Sequence, residues 1–180
     1  MSLPDQLTVA RIAAVPVVVI LFAWDFPNHA YWATIVFVVA MATDQADGWL
    51  ARRRGTSSQL GTLLDPVADK VLILATLVML VGEGVAPAWM VALIVVREIL
   101  VSGLRLAAME RRVVLGARDL GRLKAWVQAL AAAIAGLAAA GAVSANAAWW
   151  ALLAAVVVTC VSGLDYARVA PRVLRGERVA

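Results

Sequence analysis

The sequence predicts an all-α, polytopic membrane protein with six transmembrane helices and both termini cytosolic, and three observations carry that prediction. Hydrophobic residues make up 63% of the 180-residue chain, and the mean hydropathy is +0.87. A soluble domain holds roughly 45–50%. The apolar residues fall into six stretches of the ~20 residues that a helix needs to cross a ~30 Å hydrocarbon core. The 16 lysines and arginines gather on one side of those stretches.

The spans are expected near 7–24, 30–51, 61–82, 87–108, 122–141 and 147–166. The first ends where Asp25-Phe26-Pro27-Asn28-His29 breaks the apolar run, and the second runs down to the basic segment beginning at Arg52. Arg52 to Gln59 forms a short polar turn, so the second and third spans are expected to be antiparallel neighbours. Gly82 to Pro87, Met109 to Gly121 and Gly141 to Asn146 separate the remaining spans with Gly, Pro and charge. No Ser/Gly-rich linker interrupts the chain, so 1–180 is expected to be one membrane domain. The opening Met1-Ser2-Leu3-Pro4-Asp5-Gln6 lacks the basic start of a signal peptide, and the first helix is expected to be retained.

Every lysine and arginine lies at a terminus, in the second or fourth connection, or on a helix segment adjoining them. Short loops rich in these residues stay in the cytosol. The opposite loops offer only Asp25, His29 and Glu83 as charged groups, with Trp24, Trp32, Trp89, Trp149 and Trp150 beside them as an interfacial belt. Net charge +4 and a pI near 10.0 could serve nucleic acid, but no nucleic-acid-binding module accompanies them. Anionic lipid headgroups are the expected partner. Asp165 to Arg178 is expected to continue as a cytosolic helix, either lying on that surface or serving as a positive-inside anchor. The single cysteine, Cys160, is expected to be a buried small hydrophobe, and no intramolecular disulfide is possible.

Four aspartates interrupt this apolar pattern. Each costs roughly 2.5–3.5 kcal/mol inside a span, so Asp44 and Asp47 in the second span, and Asp65 and Asp69 in the third, require compensation. Spacings of three and four put each pair on one helical face, and the antiparallel turn lets both pairs converge at the cytosolic end. Four converging carboxylates form a hard-oxygen site suited to Mg²⁺ or Mn²⁺, with no Cys or His nearby for zinc. Two such ions could clamp the attacking and leaving oxygens of a phosphoryl displacement. Gly48, Ala51 and Gly61 leave backbone bare beside the acids, either for close ligand approach or for helix packing. Arg52, one turn beyond Gly48, can grip a phosphate bidentately or anchor the helix end.

Together these residues read Asp44-Gln45-Ala46-Asp47-Gly48-Trp49-Leu50-Ala51-Arg52, eight residues, Gly61, three residues, Asp65, three residues, Asp69. At average residue frequencies the eight fixed identities arise by chance on the order of 10⁻¹⁰ per start position. The run resembles the full signature of the CDP-alcohol phosphotransferase family. That resemblance implies a six-helix, homodimeric membrane enzyme that displaces CMP from a CDP-linked lipid or alcohol with an incoming hydroxyl. It further implies two metal ions among Asp44, Asp47, Asp65 and Asp69, CDP held by Gly48, Ala51, Arg52 and Gly61, and Asp69 as catalytic base. A carboxylate that shares metals is a poor base unless freed from one, so a ligand-only role for Asp69 stays open.

Arg97-Glu98-Ile99-Leu100-Val101-Ser102-Gly103-Leu104-Arg105, Gly121 to Gln128 and Leu7-Thr8-Val9-Ala10-Arg11 resemble the branch of that family whose acceptor is glycerol-3-phosphate. That branch more usually has Lys and Thr where Arg122 and Ala125 stand, and an Asn ahead of Leu7. The resemblance implies transfer of the phosphatidyl group of CDP-diacylglycerol to glycerol-3-phosphate, in a bacterial inner membrane with the site facing the cytosol. A dianionic acceptor needs a cationic pocket, and Arg105 and Lys124 are the first candidates, followed by Arg97, which Glu98 could instead hold in an ion pair. Arg111, Arg112 and Arg118 are expected to be solvated loop charges. Two alternatives remain: another acceptor (inositol phosphate, serine or phosphatidylglycerol), or a divalent-cation transporter. Transport would predict unwound or Pro-broken helices and an inverted repeat, and neither is visible: the acid-bearing spans contain Pro66 alone, expected at the start of a helix, where it is tolerated.

Overall fold

The computed structural model describes residues 3–54, 59–110 and 119–174; the side chains described are those of 10–43, 70–108 and most of 121–166. Six α-helices make up the described chain: α1 Leu3–Ala23, α2 His29–Arg54, α3 Gln59–Gly82, α4 Ala88–Glu110, α5 Asp119–Ala139 and α6 Ala145–Leu174. Each covers one expected stretch, with ends displaced by a few residues. The longest, α6, carries the helix unbroken beyond Tyr166 to Leu174.

Three short turns join the helices at one end of the bundle, and local chemistry closes each. After α3 and α5 the chain turns through Gly84 (φ 72°) and Gly141 (φ 74°). Val85 N–H donates to Leu80 C=O and Gly84 N–H to Val81 C=O; Ala142 to Leu137 and Gly141 to Ala138 repeat the pattern. These paired bonds satisfy the last carbonyls of a helix and need a left-handed residue, which glycine adopts without strain. Ser144 caps α6, its Oγ accepting from Ala147 N–H at 3.3 Å. Before α2, Asn28 takes φ 62°.

α1 packs on α2 and α3, α5 on α2, α3 and α6, and α4 on α3 and α6. The buried core comprises Phe22, Phe37, Leu72, Leu77, Leu80, Met90, Ile94 and Leu152 among small residues such as Ala132, Ala135 and Ala148. At the crossing of α2 and α5, Thr34 lies directly against Gly136.

Apolar side chains lie on the outside of the bundle as well as in its core, and several polar ones lie inside. Leu100, Leu130, Leu164 and Ile99 are each more than 60% exposed, while Arg11, Glu98, Lys124, Gln128, Thr159 and Ser162 are buried. The five tryptophans expected beside the outer loops are likewise exposed or largely so. Among the described residues, Ala145–Leu164 is long and apolar enough to cross a membrane, and shorter apolar helical segments occupy Ala10–Ala23, His29–Thr43, Lys70–Gly82 and Leu123–Ala139.

Two expectations are corrected. Cys160 is exposed on α6 rather than buried; an apolar neighbourhood in sequence marks a lipid-compatible face as readily as a core. Pro66 is not at the start of its helix, since α3 begins at Gln59 and Pro66 is its eighth residue. The helix nevertheless continues through it, as α1 does through Pro16.

Candidate active site

The signature residues lie on two continuous helices. Asp44, Asp47, Gly48, Ala51 and Arg52 occupy the last three turns of α2, and Gly61, Asp65 and Asp69 the first three of α3. Helical register thus puts Asp44 with Asp47, and Asp65 with Asp69, on one face each. α2 also contacts α3. Their side chains, and with them the expected convergence, lie outside the described residues, as do the side chain of Arg122 and all of Arg111, Arg112 and Arg118. The donor set is all carboxylate, and the one histidine begins α2, fifteen residues and about 22 Å of helix away from Asp44. Oxygen donors without imidazole or thiolate fit Mg²⁺ or Mn²⁺. Among the described residues no group of His, Cys, Asp or Glu gathers to hold a metal.

Immediately after Asp69 stands Lys70, whose side chain opens a polar network across four helices. Its Nζ donates to Ser102 Oγ on α4 at 2.6 Å and lies 3.9 Å from Glu98 Oε2. Ser102 in turn donates to the Glu98 carbonyl at 2.5 Å. Glu98, only 3% exposed, receives Lys124 Nζ from α5 and Arg97 Nη1 at 3.1 Å, both on Oε1. Gln128 Nε2 lies 3.4 Å from the same oxygen and donates at 2.8 Å to Thr159 on α6. Arg97 also donates from Nη2 to Ser162 Oγ at 2.6 Å.

Tyr166 joins Arg97 to Arg105. The Arg97 guanidinium lies 5.7 Å from the centroid of its ring, a cation–π distance, while Arg105 Nη2 donates to its hydroxyl at 3.0 Å. Gly163 makes room for this arrangement: a Cβ there would lie 3.2 Å from Arg97 Cγ. In a low-dielectric interior every such charge requires a partner, and among the described residues the cations Lys70, Arg97 and Lys124 share one carboxylate, that of Glu98. Among those residues cations outnumber the acid, beside the acidic half of α3.

That geometry brings Lys124 and Arg97 together through Glu98, as the sequence allowed for Arg97, and sets Arg105 nearby through Tyr166. Lys70, Gln128, Thr159 and Ser162 are additions. A model of the family described as CDP-alcohol phosphatidyltransferase matches residues 1–161. The chain belongs to that family. Membership makes the protein a transferase of a membrane-associated, generally divalent-metal-dependent family. It is 39% identical over 142 residues to a Bacillus subtilis protein named CDP-diacylglycerol–glycerol-3-phosphate 3-phosphatidyltransferase, covering 72% of this chain and 74% of the relative. A Mycobacterium tuberculosis protein named probable phosphatidylglycerophosphate synthase is 37% identical over 98% of this chain and 85% of its own. A Rickettsia bellii protein with the same name as the Bacillus relative is 36% identical over 74% of each.

Proposed function

We propose that this CDP-alcohol phosphatidyltransferase transfers the phosphatidyl group of CDP-diacylglycerol to glycerol-3-phosphate, forming phosphatidylglycerophosphate and CMP. The observation that carries the proposal is the junction at Lys70: the aspartate signature ends at Asp69, and the next residue begins a largely buried network in which, among the described residues, three cations share one carboxylate. A dianionic acceptor and a diphosphate donor need those two neighbourhoods side by side. The relatives' names supply the substrates.

Asp44, Asp47, Asp65 and Asp69 would hold two divalent cations, which neutralise the diphosphate and stabilise the departing CMP oxygen. Arg52 can donate two parallel hydrogen bonds to the diphosphate, and Gly48, Ala51 and Gly61 admit the cytidine portion. Lys124 and Arg105, then Arg97, hold the acceptor phosphate. The acceptor's 1-hydroxyl oxygen bonds to the phosphatidyl phosphorus as the phosphorus–CMP oxygen bond breaks, and Asp69 takes the hydroxyl proton. The displacement is in line and direct, without a covalent enzyme intermediate. Asp69 acting as ligand alone is the competing role.

The bundle spans the bilayer six times as a homodimer, in the bacterial inner membrane, with both termini and the acidic ends of α2 and α3 in the cytosol. Exposed leucines and tryptophans and the confinement of the 16 lysines and arginines to one side support that arrangement. Purified protein incubated with CDP-diacylglycerol, Mg²⁺ and each acceptor in turn should release CMP with glycerol-3-phosphate. Release with inositol phosphate, serine or phosphatidylglycerol alone would overturn the acceptor assignment. Metal-dependent ion flux in vesicles without CMP release would favour transport.

A further inference from the structure

Glu98 has no task in that chemistry, yet the network converges on it. Its two carboxylate oxygens are used unequally: Oε1 faces Lys124, Arg97 and Gln128, whereas Oε2 has no hydrogen bond and lies 3.9 Å from Lys70 Nζ. Stability alone does not account for a buried acid here, because apolar residues of similar volume often replace buried ion pairs without loss. What the carboxylate supplies is geometry. Lysine ammonium groups sit on flexible stems that lose considerable freedom when fixed, and one anion contacted from α3, α4 and α5 fixes two of them together with a guanidinium.

Donor capacity remains after Glu98 is served. Each ammonium carries three N–H donors; Lys124 directs one to Glu98, and Lys70 directs one to Ser102. Arg97 Nε, also buried, has no hydrogen-bond partner. Among the described residues the clustered cations are thus tethered without being exhausted, as a site for an entering phosphate requires.

We propose that Glu98 is a positioning residue for the acceptor phosphate: by tethering Lys70 of α3, Lys124 of α5 and its own neighbour Arg97, it holds them at the spacing of one polyoxyanion. The inference rests on the proposed use of a phosphorylated acceptor. It predicts that Glu98 acts on acceptor affinity and leaves the donor alone.

The test compares wild-type protein with Glu98→Gln, which keeps shape and removes charge, and Glu98→Asp, which keeps charge on a shorter stem. Glu98→Gln should raise KM for glycerol-3-phosphate at least tenfold while KM for CDP-diacylglycerol stays within twofold, and Glu98→Asp should recover part of the loss. An unchanged or lowered acceptor KM in Glu98→Gln overturns the inference. So does a parallel loss in kcat and both KM values, the mark of a merely structural residue. Should Glu98→Gln fail to fold, the same split is read on Glu98→Asp. Failure of the proposed function shows separately, in wild-type protein that releases no CMP with glycerol-3-phosphate; the split is then read on whichever phosphorylated acceptor the wild type uses. A wild type active only with an acceptor lacking phosphate overturns both.

Discussion

Replacing Gly136 with alanine should force apart the crossing of α2 and α5. A Cβ at Gly136 would lie 2.2 Å from Thr34 Oγ1, 3.0 Å from its Cγ2 and 3.1 Å from its Cβ. Side-chain carbons do not approach another atom within 3.0 Å, so the hydroxyl must retreat by nearly an ångström. It cannot do so freely, because Thr34 is buried and its hydroxyl donates to Ala30 C=O at 2.7 Å. A helical threonine has few other rotamers to adopt. Overpacking of this kind costs about 1–3 kcal/mol, which in a chain of this size lowers Tm by about 2–4 °C per kcal/mol. Thermal unfolding of the detergent-solubilised protein measures it. Thr34→Ala removes both nearest atoms, so Gly136→Ala should cost markedly less in that background, and the double-mutant cycle should show coupling. A Tm for Gly136→Ala within about 1 °C of wild type, or strict additivity, would refute the close crossing. Asp44 lies ten residues along α2 from Thr34 and Lys124 twelve before Gly136 on α5, roughly 15 and 18 Å away, so activity should fall with stability.

Two further outcomes are expected. His29 stands at the outer end of α2, ahead of the apolar span, with Nδ1 3.1 Å from Phe26 C=O and Nε2 3.1 Å from Glu83 Oε1. Two acceptors favour the doubly protonated ring, and the Glu83 hydrogen bond, with charge from Glu83 and Asp25, raises its pKa above the ordinary 6.5. The folded-state value is the higher, so the stabilisation is full below the unfolded pKa and is lost as pH rises through the folded one. Between about pH 6 and pH 8, Tm should therefore fall further in wild type than in Glu83→Gln; equal slopes would dismiss the pair. For the acidic site, chelation should abolish CMP release and Mg²⁺ or Mn²⁺ restore it, whereas Asp65→Asn should stay folded but inactive with either ion. Turnover by fully chelated protein would remove the metal from the reaction.

The fold was legible because each helix announces itself as an apolar run ended by Gly, Pro or charge, and Gly84 and Gly141 stop α3 and α5 as such residues should. Facing directions were not. Apolar residues surround these helices on every side, so nothing local told that Cys160 faces outward while Val156 faces the core. At the site, the aspartates and Arg52 stand out as charges at fixed spacing within two helices. The wider network that joins Glu98 to Lys70, Gln128 and Thr159 does not, since its members come from four helices and meet only on packing. A signal existed: each is a polar residue within an apolar stretch, which alone marks it for scrutiny. Lys70 is hidden in the sequence because it follows Asp69 directly and reads as the tail of the acidic motif.

The self-capped turns after α3 and α5, with their paired backbone bonds and left-handed glycines, have a practical corollary. Chain so fully occupied with its own hydrogen bonds offers a protease no extended segment and an antibody little to grasp. Probes aimed at these two turns should find little to bind, so epitope tags and cleavage sites for mapping the protein's orientation belong elsewhere in the chain.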